Sequence, residues 1–104
     1  MDRPTIIRMM NEYGADWPFF GPEGAPGQDE FALPFELTRQ VLAWATVFDE
    51  HYSWQTGWPS VEHRDAARQE GQKLAREVQE AVGPDVEIRF EFWETAVDGE
   101  DDPL

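Results

Sequence analysis

From Pro34 to Gly83 the apolar residues return every three or four positions, and the rhythm breaks once, across 51–59. No other feature restricts the fold as strongly, because a stripe of this period has to be buried along one side of a helix. Leu37, Val41, Trp44, Ala45, Phe48 and Tyr52 form the first stripe. Pro34 suits its first turn, where the missing N–H would have had no partner. The pattern predicts a helix over 34–52. Ala67, Gly71, Leu74, Val78 and Val82 form the second stripe, and their small members allow close helix–helix approach. Ser60 is a suitable N-cap, Glu62 and Asp65 fit the positive end of the helix dipole, and Gly83-Pro84 is a stop. A second helix is predicted over 60–82. Its other face mixes Arg64, Arg68, Lys73 and Arg76 with Glu70, Glu77 and Glu80, which reads as a solvated surface. The aromatic connector, with Trp54, Gly57, Trp58 and Pro59, folds the two helices into an antiparallel hairpin.

Strands are expected at the two ends. Thr5–Met10 is β-branched and apolar. Val86, Ile88, Phe90 and Phe92 alternate with Glu87, Arg89, Glu91 and Trp93, one apolar face against one polar face. Between strand and helix lies a long loop, marked by Gly21, Pro22, Gly24, Pro26 and Gly27. Trp17-Pro18-Phe19-Phe20 interrupts it and should pin it to the core. The hairpin brings the last strand back to the first, so the terminal strands can pair in either direction. The expected fold class is α+β, in the order strand, long loop, helix, helix, strand, with the hairpin packed on a small sheet of the terminal strands. Leu37, Val41, Phe48, Leu74, Val78, Ile88 and Phe90 are the expected core. The globular domain is placed at 1–97 and a disordered acidic tail at 98–104, and dimerisation through a sheet edge is open to a sheet this small.

The chain has 104 residues and a formal net charge of −14, with five tryptophans and no cysteine. A chain so acidic usually stays disordered, but aromatic content of 13% and clear periodicity argue for folding. The last 21 residues carry eight acids against one base, half of the net charge. Such a field draws basic partners and repels nucleic acid and anionic membranes. The absence of cysteine excludes disulfides, thiolate zinc sites and cysteine nucleophiles. The longest apolar stretch, Val41–Phe48, is far below the ~20 residues that span a bilayer. No signal-peptide pattern is read at the N-terminus, and the cytoplasm is the expected location.

Catalytic and metal signatures are weak. His51 and His63 have acids beside them, but their spacing fits no familiar zinc pattern, and both read as surface histidines at a helix end and a helix start. Ser53 and Ser60 lie in no Gly-x-Ser-x-Gly turn. The Gly-rich loop lacks the Gly-Lys-Ser/Thr ending of a phosphate cradle. Neither a catalytic residue, a metal site nor a cofactor is expected.

The connector tryptophans allow two readings. They cap the ends of a small core, or they form a binding surface, since Trp and Tyr are enriched at interface hot spots. On the second reading Asp49, Glu50, Trp54 and Trp58 make an acid-and-aromatic cluster suited to gripping Arg or Lys of a partner, and Glu87, Glu91 and Trp93 do the same on the last strand.

The stretch Phe48-Asp49-Glu50-His51-Tyr52-Ser53-Trp54 to Gly57-Trp58, the long Ala/Arg/Glu helix after it and Gly83-Pro84-Asp85-Val86 resemble small uncharacterised acidic proteins of GC-rich bacteria. Some of these are similar to immunity proteins of polymorphic toxin systems. The resemblance covers about residues 13–93 and is one of texture; it carries no site residues over. It implies a non-enzymatic binding protein, an immunity protein or inhibitor that blocks a basic toxin or enzyme. The alternatives are a nucleic-acid mimic that inhibits a DNA-binding protein, as in phage systems, and a small enzyme.

Overall fold

A computed structural model describes residues 4–15, 17–22 and 33–98. Its elements run β1 (Thr5–Met9), β2 (Phe19–Phe20), α1 (Phe35–His51), α2 (Val61–Val82) and β3 (Val86–Phe90). Both helices lie within one residue of the bounds read from their apolar stripes. Ser60 caps α2, its Oγ accepting the His63 N–H at 3.2 Å. Gly83 ends that helix, its N–H donating to the Gln79 carbonyl.

The terminal strands pair parallel, from Thr5↔Val86 to Met9↔Phe90. A parallel pair needs a long crossover, and the helix hairpin supplies it. The loop tetrad contributes the third strand: Phe19 and Phe20 pair antiparallel with Met9 and Arg8, giving the order β2-β1-β3. Trp17-Pro18-Phe19-Phe20 thus does pin the loop, with Phe19 wholly buried. Gly24, Pro26 and Gly27 fall outside the described residues.

Ile7 and Met9 of β1 point at the helices, and Ile6 and Arg8 point away, as a two-residue period requires. They meet Phe19, Leu37, Val41, Trp44, Leu74, Ala75 and Val78 in one largely aliphatic core, with Val86, Ile88 and Phe90 against it. Leu37, Val41, Phe48, Leu74 and Val78 are buried as expected. Ile88 and Phe90 are only half-buried, because β3 is an edge strand. Gly71 is where α2, α1 and β3 come closest. A Cβ there would sit 2.5 Å from the Phe90 ring and 2.8 Å from the Trp44 ring. The small residue therefore serves helix–sheet approach as well as helix–helix approach.

The outer flank of β3 is partly covered. Thr5 N–H donates to Asp85 O and Glu91 N–H to Met9 O, so odd-numbered β3 residues face β1 and even-numbered ones face outward. The Gln79 side chain meets that outward row, donating to Val86 O at 2.7 Å and accepting from Ile88 N–H at 2.8 Å. One amide thereby takes two of the groups that a strand from another molecule would pair with.

Beyond β3 the chain runs over the connector. Trp58 N–H donates to Ala96 O, and Asp98 N–H donates to Trp58 O at 2.7 Å. Asp98, the first residue of the tail expected at 98–104, is bonded to the body in this way, and Val97 before it is buried. The rest of that tail, 99–104, lies outside the described residues.

Candidate partner-binding face

The end of the molecule where α1 stops is built from three irregular pieces: the turn at 11–15, the connector 52–58 and the segment 91–98. Phe48, in the last turns of α1, is its hub. The Phe48 ring lies 5.1 Å from Tyr52 in a stacked pair, 5.5 Å from Tyr13, 5.7 Å from Trp93 and 6.3 Å from Trp58. Tyr13 and Trp93 meet edge-on at 5.5 Å, and Tyr52 meets Trp93 at 5.7 Å. These are favourable aromatic geometries, worth about 0.5–1.5 kcal/mol per pair beyond area burial. Trp58 is fully buried at the base, while Tyr13 is 49% and Trp93 39% exposed.

A polar network holds the three pieces in place. Asn11 Nδ2 donates to Glu94 Oε2 at 2.7 Å, and both side chains are buried. Trp58 Nε1 donates to the Glu94 carbonyl at 2.8 Å, and Trp93 Nε1 donates to the Asn11 carbonyl at 2.7 Å. Glu94 Oε1 is buried and has no hydrogen-bond partner. Burial pushes the Glu94 carboxyl above the ordinary glutamate range, and the Asn11 amide offsets part of that. The Tyr52 hydroxyl is pushed up by burial first, then by Tyr13 and the Glu94 charge. Gly57 makes the close approach possible: it has φ +85°, and a side chain there would collide with the Ala96 carbonyl.

The residues expected to meet a partner divide into three groups. Asp49, Glu50 and Trp54 stand exposed at this end, with Trp54 76% exposed. Trp93 joins them through Phe48 and Tyr52. Trp58 is a correction: at 0% exposure it is core and offers no surface. Its indole N–H found an internal acceptor in Glu94, which let the ring go inside. Glu87 and Glu91 lie instead beside the strands, where Arg89 pairs with Glu87 at 2.6 Å and Arg8 approaches Glu91 at 3.8 Å. That region is mixed in charge.

The sequence pattern marks Tyr52 as part of the helical stripe and does not single out Asn11, Tyr13 or Glu94 as parts of this end. Asn11 is the chain's one asparagine, a small signal beside an apolar strand. Nothing around Glu94 marks it out from the other acids of its segment.

His51 and His63 do come together, with ring centroids 5.5 Å apart, and Ser60 Oγ lies 2.8 Å from His63 Nδ1. Among the described residues no group of three or more His, Asp or Glu side chains could hold a metal ion. Nor is any described helix long and apolar enough to cross a membrane.

The fold is that of a small α+β domain with a cluster of partly exposed aromatic rings at one end. The chain belongs to the Serratia CdiI immunity protein-like family, whose model matches residues 5–92, from the start of β1 to just past β3. Trp93, Glu94 and Val97 lie beyond the matched part. No curated protein matches the chain.

Proposed function

We propose that this protein is an immunity protein that binds a toxin and neutralises it without chemistry of its own. Membership of the CdiI-like family over residues 5–92 carries the reading. The net charge of −14 supports a basic partner, because a toxin that acts on nucleic acid or phosphate has a basic cleft that an acidic protein can reach quickly. The toxin is met at the aromatic end, where Asp49, Glu50, Trp54 and Trp93 are exposed. Acids at the rim steer the encounter, and rings at the centre slow dissociation. The site of action on this reading is the bacterial cytoplasm.

The test is co-expression. A toxin domain that this chain pulls down from its native host is induced in a host strain with and without this chain, and growth is measured. Protection by this chain, with a complex that co-purifies, is expected. Equal killing in both cultures would refute the reading.

A further inference from the structure

The aromatic end has features that specify more than a basic partner. Tyr13 and Trp93 are both exposed and their rings meet edge-on at 61°, with Tyr52 packed against both. Neither ring can easily rotate away. Tyr13 packs on Phe48 and Tyr52, and the Trp93 indole is tied to Asn11. An acid borders the rings: the Glu12 carboxylate accepts the backbone N–H of Tyr13 at 3.0 Å. Beneath them Glu94 keeps a buried oxygen without a donor.

We propose that Tyr13, Tyr52 and Trp93 form a receiving face for an arginine side chain of the protein partner, with Glu12 answering the guanidinium charge at the rim. The inference rests on the reading that this end of the molecule meets a basic protein. Arginine fits better than lysine on physical grounds. A guanidinium is flat, stacks on an aromatic ring and is weakly hydrated, whereas an ammonium is a compact and strongly hydrated charge. The Glu12 carboxylate at the rim can also accept its N–H donors. Because the rings are fixed before binding, little ordering cost is added when the cation arrives.

The probe is a blocked peptide of four Arg-Gly repeats, with matched lysine and citrulline peptides, titrated into the ¹⁵N-labelled full chain and followed by NMR. Citrulline keeps the planar shape and removes the charge. The arginine peptide is expected to shift the Trp93 indole N–H and the backbone signals of Tyr13 and Tyr52. The lysine peptide should bind several-fold more weakly, and the citrulline peptide should leave these signals in place. Tyr13→Leu and Trp93→Leu should each weaken arginine binding about three- to fivefold, the range for one exposed cation–π contact. Trp93→Phe, which keeps a ring, should restore part of it. Far-UV circular dichroism checks that each variant is folded. Equal binding of arginine and citrulline, equal binding of arginine and lysine, or shifts centred away from these three residues would overturn the proposal. Loss of arginine binding in Trp93→Leu with protection from the toxin unchanged would also overturn it, while leaving the immunity reading standing. Failure of the wild-type chain to protect, with arginine binding intact, would remove the toxin and leave the receiving face.

Discussion

The two ends of this molecule are held together in different ways. Around Val41, Leu74 and Val78 the core is largely aliphatic, with Phe19 and Trp44 among it, and is made by regular elements whose side chains meet at fixed intervals. Around Phe48 and Trp58 it is aromatic, and it is closed by segments with no regular structure. There backbone pairing is limited to isolated bridges, Ser53 with Gly57 and Trp58 with Val97, and side chains add the rest: Asn11, Glu94, Trp58 and Trp93 tie the pieces together. The aliphatic end depends on volume, and the aromatic end depends on the placement of a few polar atoms. Both ends should therefore fail differently when disturbed.

The largest effect expected is Phe48→Ala, about 3–5 kcal/mol, the range for emptying an aromatic core site. Leu74→Ala should cost about 2–5 kcal/mol at the other end. Chemical denaturation measures both. Phe48→Ala should also abolish most of the near-UV circular dichroism while the helical signal survives at low temperature, and Leu74→Ala should lower the two together. Matching losses in both signals for Phe48→Ala would erase the distinction between the ends. A cost under about 1 kcal/mol would contradict the burial of Phe48.

Gly57→Ala comes next. It forces a side chain into a left-handed backbone position and against the Ala96 carbonyl, and strain of this kind costs about 1–3 kcal/mol. Thermal melts of Gly57→Ala and of the exposed neighbour Thr56→Ala make the comparison. Equal melting temperatures would mean that 91–98 does not press on the connector.

A smaller effect belongs to Glu94. Its folded carboxyl holds a proton more tightly than the unfolded one, so its contribution to stability is complete below the ordinary glutamate pKa and is lost as pH rises through the folded value. Urea unfolding across that acid window should show wild-type stability falling with pH more steeply than that of Glu94→Gln, which cannot ionise. Parallel profiles would show that the buried carboxyl is not linked to folding. The smallest effect is expected on removing residues 99–104, which hold one apolar side chain, Leu104. The melting temperature should stay within a degree or two, an effect below about 0.5 kcal/mol. A large drop would mean that the segment docks on the body.

What could be read from the residues follows the same division. The stripes led by Leu37 and Leu74 located both helices, and the alternation of Val86, Ile88 and Phe90 located β3, because periodicity is a local property. The direction of the β1–β3 pairing was not legible, since either direction buries the same face. Trp58 could not be told from Trp54 or Trp93: the three have the same chemistry, and what separates them is whether an acceptor waits inside. Trp58 finds one in a carbonyl 36 positions away. Glu94 and Asn11 are 83 positions apart, and neither announces the other.

The parallel pairing of β1 with β3 also has a consequence in time. The sheet joins the first and last elements of the described chain, and contacts of such long range slow folding. During synthesis Ile7 and Met9 emerge early and have no sheet to join until Val86–Phe90 have left the ribosome. The helix hairpin can form meanwhile, but the core it covers cannot close. Segment 91–98, which fixes Trp93, is made later still. The surface proposed to meet a toxin is thus the last part of the described chain to take shape, after both helices and the sheet.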